Sequence, residues 1–190
     1  MIDLCQNEFE SPIGVVYVVS DGTNLRAVDF DGYEHRLQRL LARHCGRYTL
    51  HSAREPGEAV SRLRAYFAGD LRAIDGVAVV TKGSPFQQQV WAALRTIPAG
   101  ETVSYGTIAS RIGRPTACRA VGLANGSNPI AIVVPCHRVV GANQGLTGYG
   151  GGIERKQWLL RHEGVVLASP PPRLPRDPSA ASSQLVGSGR

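Results

Sequence analysis

Cysteine is scarce in this sequence, four in 190 residues, and no two form a C-x-x-C pair. Cys5, Cys45, Cys118 and Cys136 lie far apart, so the spacing of a zinc ribbon and that of a disulfide framework are both missing. Free thiols are the expectation. Long apolar runs are missing too: they stop at five residues, Ile130–Val134 among them, against the roughly 20 that a bilayer-crossing helix needs. The opening Met1-Ile2-Asp3-Leu4 carries an acid and no basic-then-apolar leader, so a cytoplasmic protein without a membrane partner is expected. There is no internal repeat.

Acidic side chains thin out along the chain. Residues 1–82 hold 10 basic and 11 acidic side chains, residues 83–168 hold 8 and 3, and residues 169–190 hold 3 and 1. All the excess positive charge lies beyond residue 82. A nucleic-acid-facing second domain has that distribution, and so does an ordinary basic surface.

The first 82 residues read as a small α+β domain. Residues 13–19 and 25–30 are rich in β-branched side chains and flank Asp21-Gly22, which predicts a β-hairpin. Leu37, Leu40, Leu41 and His44 repeat at helical spacing, as do Val60, Leu63, Tyr66 and Phe67, with short strand-like runs at 47–50 and 77–80. No catalytic motif stands among them. A domain boundary is placed at Lys82-Gly83, where composition turns to helices with short turns. Ser84-Pro85-Phe86-Gln87 has the capping-box pattern, opening a helix that holds Val90, Trp91 and Leu94. From residue 169, 12 of 22 residues are Pro, Ser or Gly, which predicts a disordered tail.

Tyr105, Ile108, Ala109 and Ile112 give an apolar helical face that stops at Gly113. A second helix, roughly 116–126, follows across Arg114-Pro115. The pair reads as a helix-turn-helix or as an ordinary αα-hairpin. The second helix is poor in base readers: Arg119 is its only charge and Asn125 its only amide, among Ala117, Ala120, Gly122, Ala124 and Gly126. Small residues allow a close approach to a sugar-phosphate surface, which suits sequence-tolerant minor-groove binding. Close packing between helices would select the same residues.

Ile130–Val134 reads as a buried strand-like segment running into Pro135-Cys136-His137-Arg138-Val139. A nucleophilic cysteine needs a base, because an ordinary thiol is only a few per cent ionised at neutral pH. His137 is a candidate. Adjacent side chains on an extended backbone point apart, so contact does not follow from adjacency.

Asn128-Pro129 followed by this pentapeptide resembles the active-site signature of the O6-alkylguanine-DNA alkyltransferase family. The resemblance extends to Ser84-Pro85-Phe86-Gln87, Gly100-Glu101 through Ser104-Tyr105, Arg119-Ala120-Val121-Gly122, Gly148-Tyr149 and Lys156 through Gly164. It is dense over residues 84–166 and looser at Ser11-Pro12-Ile13-Gly14. It implies an α+β protein with a small ribonuclease H-like N-terminal α/β domain and a mainly helical second domain carrying the helix-turn-helix. It further implies single-turnover DNA repair, in which Cys136 accepts the alkyl group from O6 of guanine and O4-alkylthymine is a further substrate to test. His137 would act as base, Glu163 as its orienter and Tyr105 as proton donor to the leaving base. Asn128, Val139, Tyr149, Gly150, Gly151 and Lys156 would form the substrate pocket, with Lys156 near the reacting charge or on a phosphate. Some members carry serine at the position of Gly150. Arg119, Ala120, Thr116 and Ala117 would meet DNA, with Arg119 filling the space of the extruded base. Neither metal nor organic cofactor is implied, and the chain would act as a monomer on double-stranded DNA.

Overall fold

The hairpin expected around Asp21 forms between β2 (Gly14–Ser20) and β3 (Leu25–Phe30), which pair antiparallel. Asp21 closes the turn by accepting hydrogen bonds from the backbone N–H groups of Thr23 and Asn24. Ahead of it lies a ten-residue strand that periodicity does not reveal, β1 (Ile2–Ser11), antiparallel to β2. Leu4 and Phe9 are its buried anchors, and their odd spacing puts them on opposite faces of the sheet. Helix α1 (Glu34–Cys45) covers the Leu4 face with Leu37, Leu41 and Cys45. Strand β4 (Tyr48–Ser52) adds parallel to β1, giving the order β3-β2-β1-β4. Helix α2 (Glu58–Phe67) buries Val60, Leu63 and Tyr66 in the core of the Phe9 face. The computed structural model describes residues 1–53, 55 and 57–167; the stretch read as a disordered tail, 169–190, lies outside them.

The free edge of β3 is where the two halves of the chain meet. The backbone of residues 78–80 bonds to Leu25, and that of 129–131 bonds to Val28. An edge that would otherwise offer unpaired N–H and C=O groups is thereby covered. The segment leading to Cys136 is anchored by the same bonds. Ile130–Val134 is buried throughout as expected, but it is a turn and not a strand: only Ile130 bridges, and Val134 N–H donates back to the Ile130 carbonyl. Ile132 takes a left-handed φ of 69°, which no extended segment allows.

Four helices build the second half. Helix α3 (Pro85–Leu94) opens with the capping box, Ser84 and Gln87 bonding each other's backbone N–H. A two-residue strand β5 (Val103–Ser104) leads into α4 (Tyr105–Arg111), capped by the Ser104 hydroxyl. Gly113, at φ 71°, turns the chain, and α5 (Cys118–Gly126) follows. The second helix of the pair therefore starts at Cys118, with Thr116 and Ala117 in the turn before it. After a single 3-10 turn at Cys136–Arg138, β6 (Val139–Val140) pairs parallel with β5. Helix α6 (Ile153–His162) ends at Glu163. Among the described residues no helix is long and apolar enough to cross a membrane.

Candidate active site

Cys136 sits where the buried turn becomes a 3-10 turn, its N–H donating to Val134 at 2.8 Å. Its side chain is 6% exposed. Asn128 holds the sulfur: Nδ2 lies 3.1 Å from Sγ, 2.8 Å from the Val134 carbonyl and 3.3 Å from that of Ile130, while Oδ1 accepts from Ile130 N–H. One amide thus fixes both the loop and the nucleophile it carries. Burial pushes the Cys136 thiol up, against the Asn128 hydrogen bond and the positive charges of Arg36 and Lys156. At rest the group is a thiol, so a base has to take its proton as the sulfur attacks.

The 3-10 turn sends His137 into the interior, fully buried, with Nε2 2.9 Å from Glu163 Oε1. Glu163 is no solvated acid at a helix end; it is 4% exposed. Arg138 grips it twice, Nε to Oε2 at 2.9 Å and Nη2 to Oε1 at 2.8 Å, and donates to the Ile97 carbonyl as well. Tyr66 donates to Oε1 at 2.7 Å. Burial alone would raise Glu163, but the bonds from His137 and Arg138 hold its carboxyl well below the usual carboxylate range. An ionised carboxylate only accepts, so His137 donates through Nε2–H and its Nδ1 carries the lone pair. Nδ1 has no partner among the described protein atoms. Burial lowers the His137 pKa despite Glu163, and a neutral imidazole with a free Nδ1 is a base ready for use.

Lys156 is fully buried and donates to the carbonyls of Val139 at 2.6 Å and Thr147 at 3.2 Å. That placement excludes the phosphate-contact alternative. Burial lowers it to about 8. Val139 is a core residue whose carbonyl faces this ammonium. Tyr105, at the start of α4, shares a 3.0 Å hydrogen bond with Thr147, so it reaches the glycine-rich loop. The Tyr149 ring lies near those of Phe30 and His137, with centroids at 6.4 and 6.5 Å, and its buried hydroxyl has no partner among the described residues. The loop presses on the N-terminal half: a Cβ at Gly150 would fall 1.9 Å from Arg36 Nη1, and one at Gly151 2.6 Å from the Phe30 ring. Arg36 is itself held by two bonds to the buried Asp29. Among the described residues no group of three His, Cys, Asp or Glu could hold a metal ion.

On α5, Arg119, Ala120 and Leu123 face outward, Leu123 with 78% of its surface exposed. Thr116 is exposed and Ala117 half-buried in the preceding turn. Helix packing does not require the glycine at 122, since a Cβ there would meet the Tyr105 ring at an ordinary 3.8 Å. Asn125, the one amide, turns inward and donates to the Cys136 carbonyl at 3.3 Å; it is unavailable as a base reader.

The structure therefore brings Cys136, His137, Glu163, Asn128 and Lys156 together around one turn, and leaves Arg119 and Ala120 on a separate exposed face. Sequence reasoning missed Tyr66, Arg36, Asp29 and the inward role of Arg138. Only Arg138 carried a signal, its place within the active-site pentapeptide.

Residues 4–80 match the ribonuclease-like domain of 6-O-methylguanine DNA methyltransferase, and residues 85–165 match its DNA binding domain. The methylated-DNA–protein-cysteine methyltransferase of Shigella flexneri is 50% identical over 170 residues, 88% of this chain and 99% of its own. That of Mycobacterium tuberculosis strain H37Rv is 51% identical over 160 residues, 81% and 88%. The crystal structure of Mycobacterium tuberculosis OGT in complex with DNA superposes with a TM-score of 0.70 at 46% identity, over 85% of this chain and 92% of that one. Similarity of this extent, over both halves and through the turn that carries the thiol, means that the chain belongs to the 6-O-methylguanine DNA methyltransferase family.

Proposed function

We propose that the protein reverses DNA damage directly, by moving the alkyl group from O6 of guanine onto Cys136 in a single irreversible step. The observation that carries this reading is the buried Cys136 thiol, held 3.1 Å from Asn128 and followed in the same 3-10 turn by His137, whose Nδ1 has no partner among the described protein atoms. The sulfur forms a bond to the alkyl carbon while the carbon–O6 bond breaks, and its electron pair stays on the base. The thiol proton passes by way of solvent to His137 Nδ1, and Glu163 steadies the imidazolium that results. Tyr105 donates to ring nitrogen N3 of the departing purine and is reprotonated from solvent. Tyr149, Gly150 and Gly151 wall the base, Asn128 fixes the sulfur, and Lys156 ties Val139 to the loop.

The alkyl carbon cannot meet a protein sulfur inside stacked DNA, so the base leaves the helix. Arg119 takes its place, with Thr116, Ala117 and Ala120 against the minor groove of double-stranded DNA and little preference for sequence. The chain acts as a monomer, with residues 1–82 and 83–168 as its two domains and the tail after 168 outside the chemistry. A reducing, cytoplasmic setting suits four free cysteines of which one must stay a thiol.

Incubation with one equivalent of duplex containing O6-methylguanine tests the reading. Mass spectrometry should find one methyl group, about 14 Da, on the peptide holding Cys136. Cys136→Ala should bind the same duplex and acquire nothing. Product formation beyond one equivalent, or an unmodified Cys136, would overturn it.

A further inference from the structure

Three donors converge on a single oxygen of Glu163, and one of them comes from 97 residues upstream. His137 Nε2 and Arg138 Nη2 belong to the active-site turn, whereas the Tyr66 phenol projects from α2 of the N-terminal half, 2.7 Å from Oε1. We propose that Tyr66 is a positioning residue of the alkyl-transfer site that acts through Glu163: its phenol takes a share of the charge on Oε1 and so limits the carboxylate's pull on His137. The proposal rests on the reading that His137 is the base.

Glu163 occupies the C-cap of α6, followed by Gly164 at φ 86°. A helix end has no following turn to brace it, so the direction of this side chain depends on tertiary contacts. Tyr66 supplies two. Its carbonyl accepts from His162 Nε2 at 2.7 Å, and its hydroxyl donates to Glu163. Consecutive residues of the helix end are held by one tyrosine, whose ring also packs edge-on against His162 at 5.1 Å. Burial and the neighbouring carboxylate keep the phenol protonated, so it is a permanent donor.

A carboxylate oxygen has two in-plane lone pairs, and three donors must share them. Each share of charge taken by Tyr66 is lost to the imidazole. The charged and titratable groups around the pair are Arg138 and Lys156, which oppose an imidazolium, Glu163, which favours one, and Cys136, Tyr149 and His162. Arg138 keeps both its bonds to Glu163 when the phenol is absent, so the carboxylate stays in place and its freed charge falls on His137. Ring volume does not explain the hydroxyl, because phenylalanine would fill the same core position.

Tyr66→Phe keeps the ring and tests the proposal. Single-turnover methyl transfer from saturating O6-methylguanine duplex is followed against pH for both proteins, and the His137 imidazole is titrated by 15N NMR, assigned with His137→Gln. The acid limb of the rate profile and the ring titration should both move upward, by about half a pH unit or more. In a Glu163→Gln background, adding Tyr66→Phe should leave the ring titration where it was. Curves that coincide with wild type, a downward shift, or a further shift in the Glu163→Gln background would each overturn the proposal, since a packing role moves the melting temperature and not the imidazole. Failure of the wild-type chain to gain a methyl group on Cys136 would count instead against the reading of the site itself.

Discussion

Glu163 is the counter-ion of Arg138 as well as the partner of His137, so its loss reaches beyond catalysis. Glu163→Gln leaves a buried guanidinium facing a neutral amide, and breaking a buried ion pair typically costs about 3–5 kcal/mol. Urea unfolding at neutral pH should show a loss of that order. The sign of its pH dependence follows from the lowered carboxyl. The unfolded chain takes up the proton first, so the stability Glu163 contributes is complete above its ordinary value of 4.5 and drains away as pH falls below it. Wild type should therefore lose more stability than Glu163→Gln between pH about 5 and 3. Gly151→Ala probes the other side of the site. Its methyl would enter the Phe30 ring at 2.6 Å, and overpacking of this kind costs about 1–3 kcal/mol, so a lower melting temperature and slower methyl transfer are expected. Cys136, His137 and Glu163 were legible in sequence because their resemblance is carried by short contiguous motifs. Tyr66, Arg36 and Asp29 were not, since each looks like an ordinary member of a helix or strand until folding brings it to the site.

Helix α5 shows why the helix-turn-helix could be read but not fully understood from its residues. Arg119, Ala120 and Leu123 are exposed on one face while Asn125 turns inward, a division that the residue types alone do not reveal. Arg119→Ala should slow repair of an O6-methylguanine duplex more than reaction with free O6-benzylguanine, because only the duplex requires extrusion; equal losses in the two single-turnover assays would remove that role from Arg119. At the scale of strands, β1 was hidden because Leu4 and Phe9 serve opposite faces, so neither face shows an unbroken alternation. The run 130–134 misled for the opposite reason: five buried apolar residues fit a strand or a turn equally well, and the Asn128 bonds that close it are invisible to periodicity.

One core runs through both halves, with Phe30, Val28 and Tyr66 packed among Ile130, Val134 and Leu159. Arg155 fastens them further, bonding the Ile13 carbonyl at 2.8 Å, Asp31 at 2.6 Å and the Gly151 carbonyl at 3.2 Å. A change at Cys136 is therefore felt across the molecule. A methyl on the sulfur enlarges a side chain that is 6% exposed and already bonded to Asn128, with a cost of about 1–3 kcal/mol, so the methylated protein should melt at a lower temperature than the unmodified one. A thermal melt before and after stoichiometric transfer checks this, and an unchanged midpoint would mean that the pocket accepts the adduct without strain. Binding to undamaged duplex should weaken steeply with added salt, as positive charge concentrated beyond residue 82 displaces counterions from phosphate. Ile132, four residues ahead of the sulfur, gives this loss of stability a particular meaning. A β-branched residue held at φ 69° stores about 1–2 kcal/mol of backbone strain. A catalyst that cycles has to recover its starting arrangement after every turnover. A chain whose sulfur accepts one alkyl group needs no way back, so its loop has only to hold the thiol in place until that single transfer.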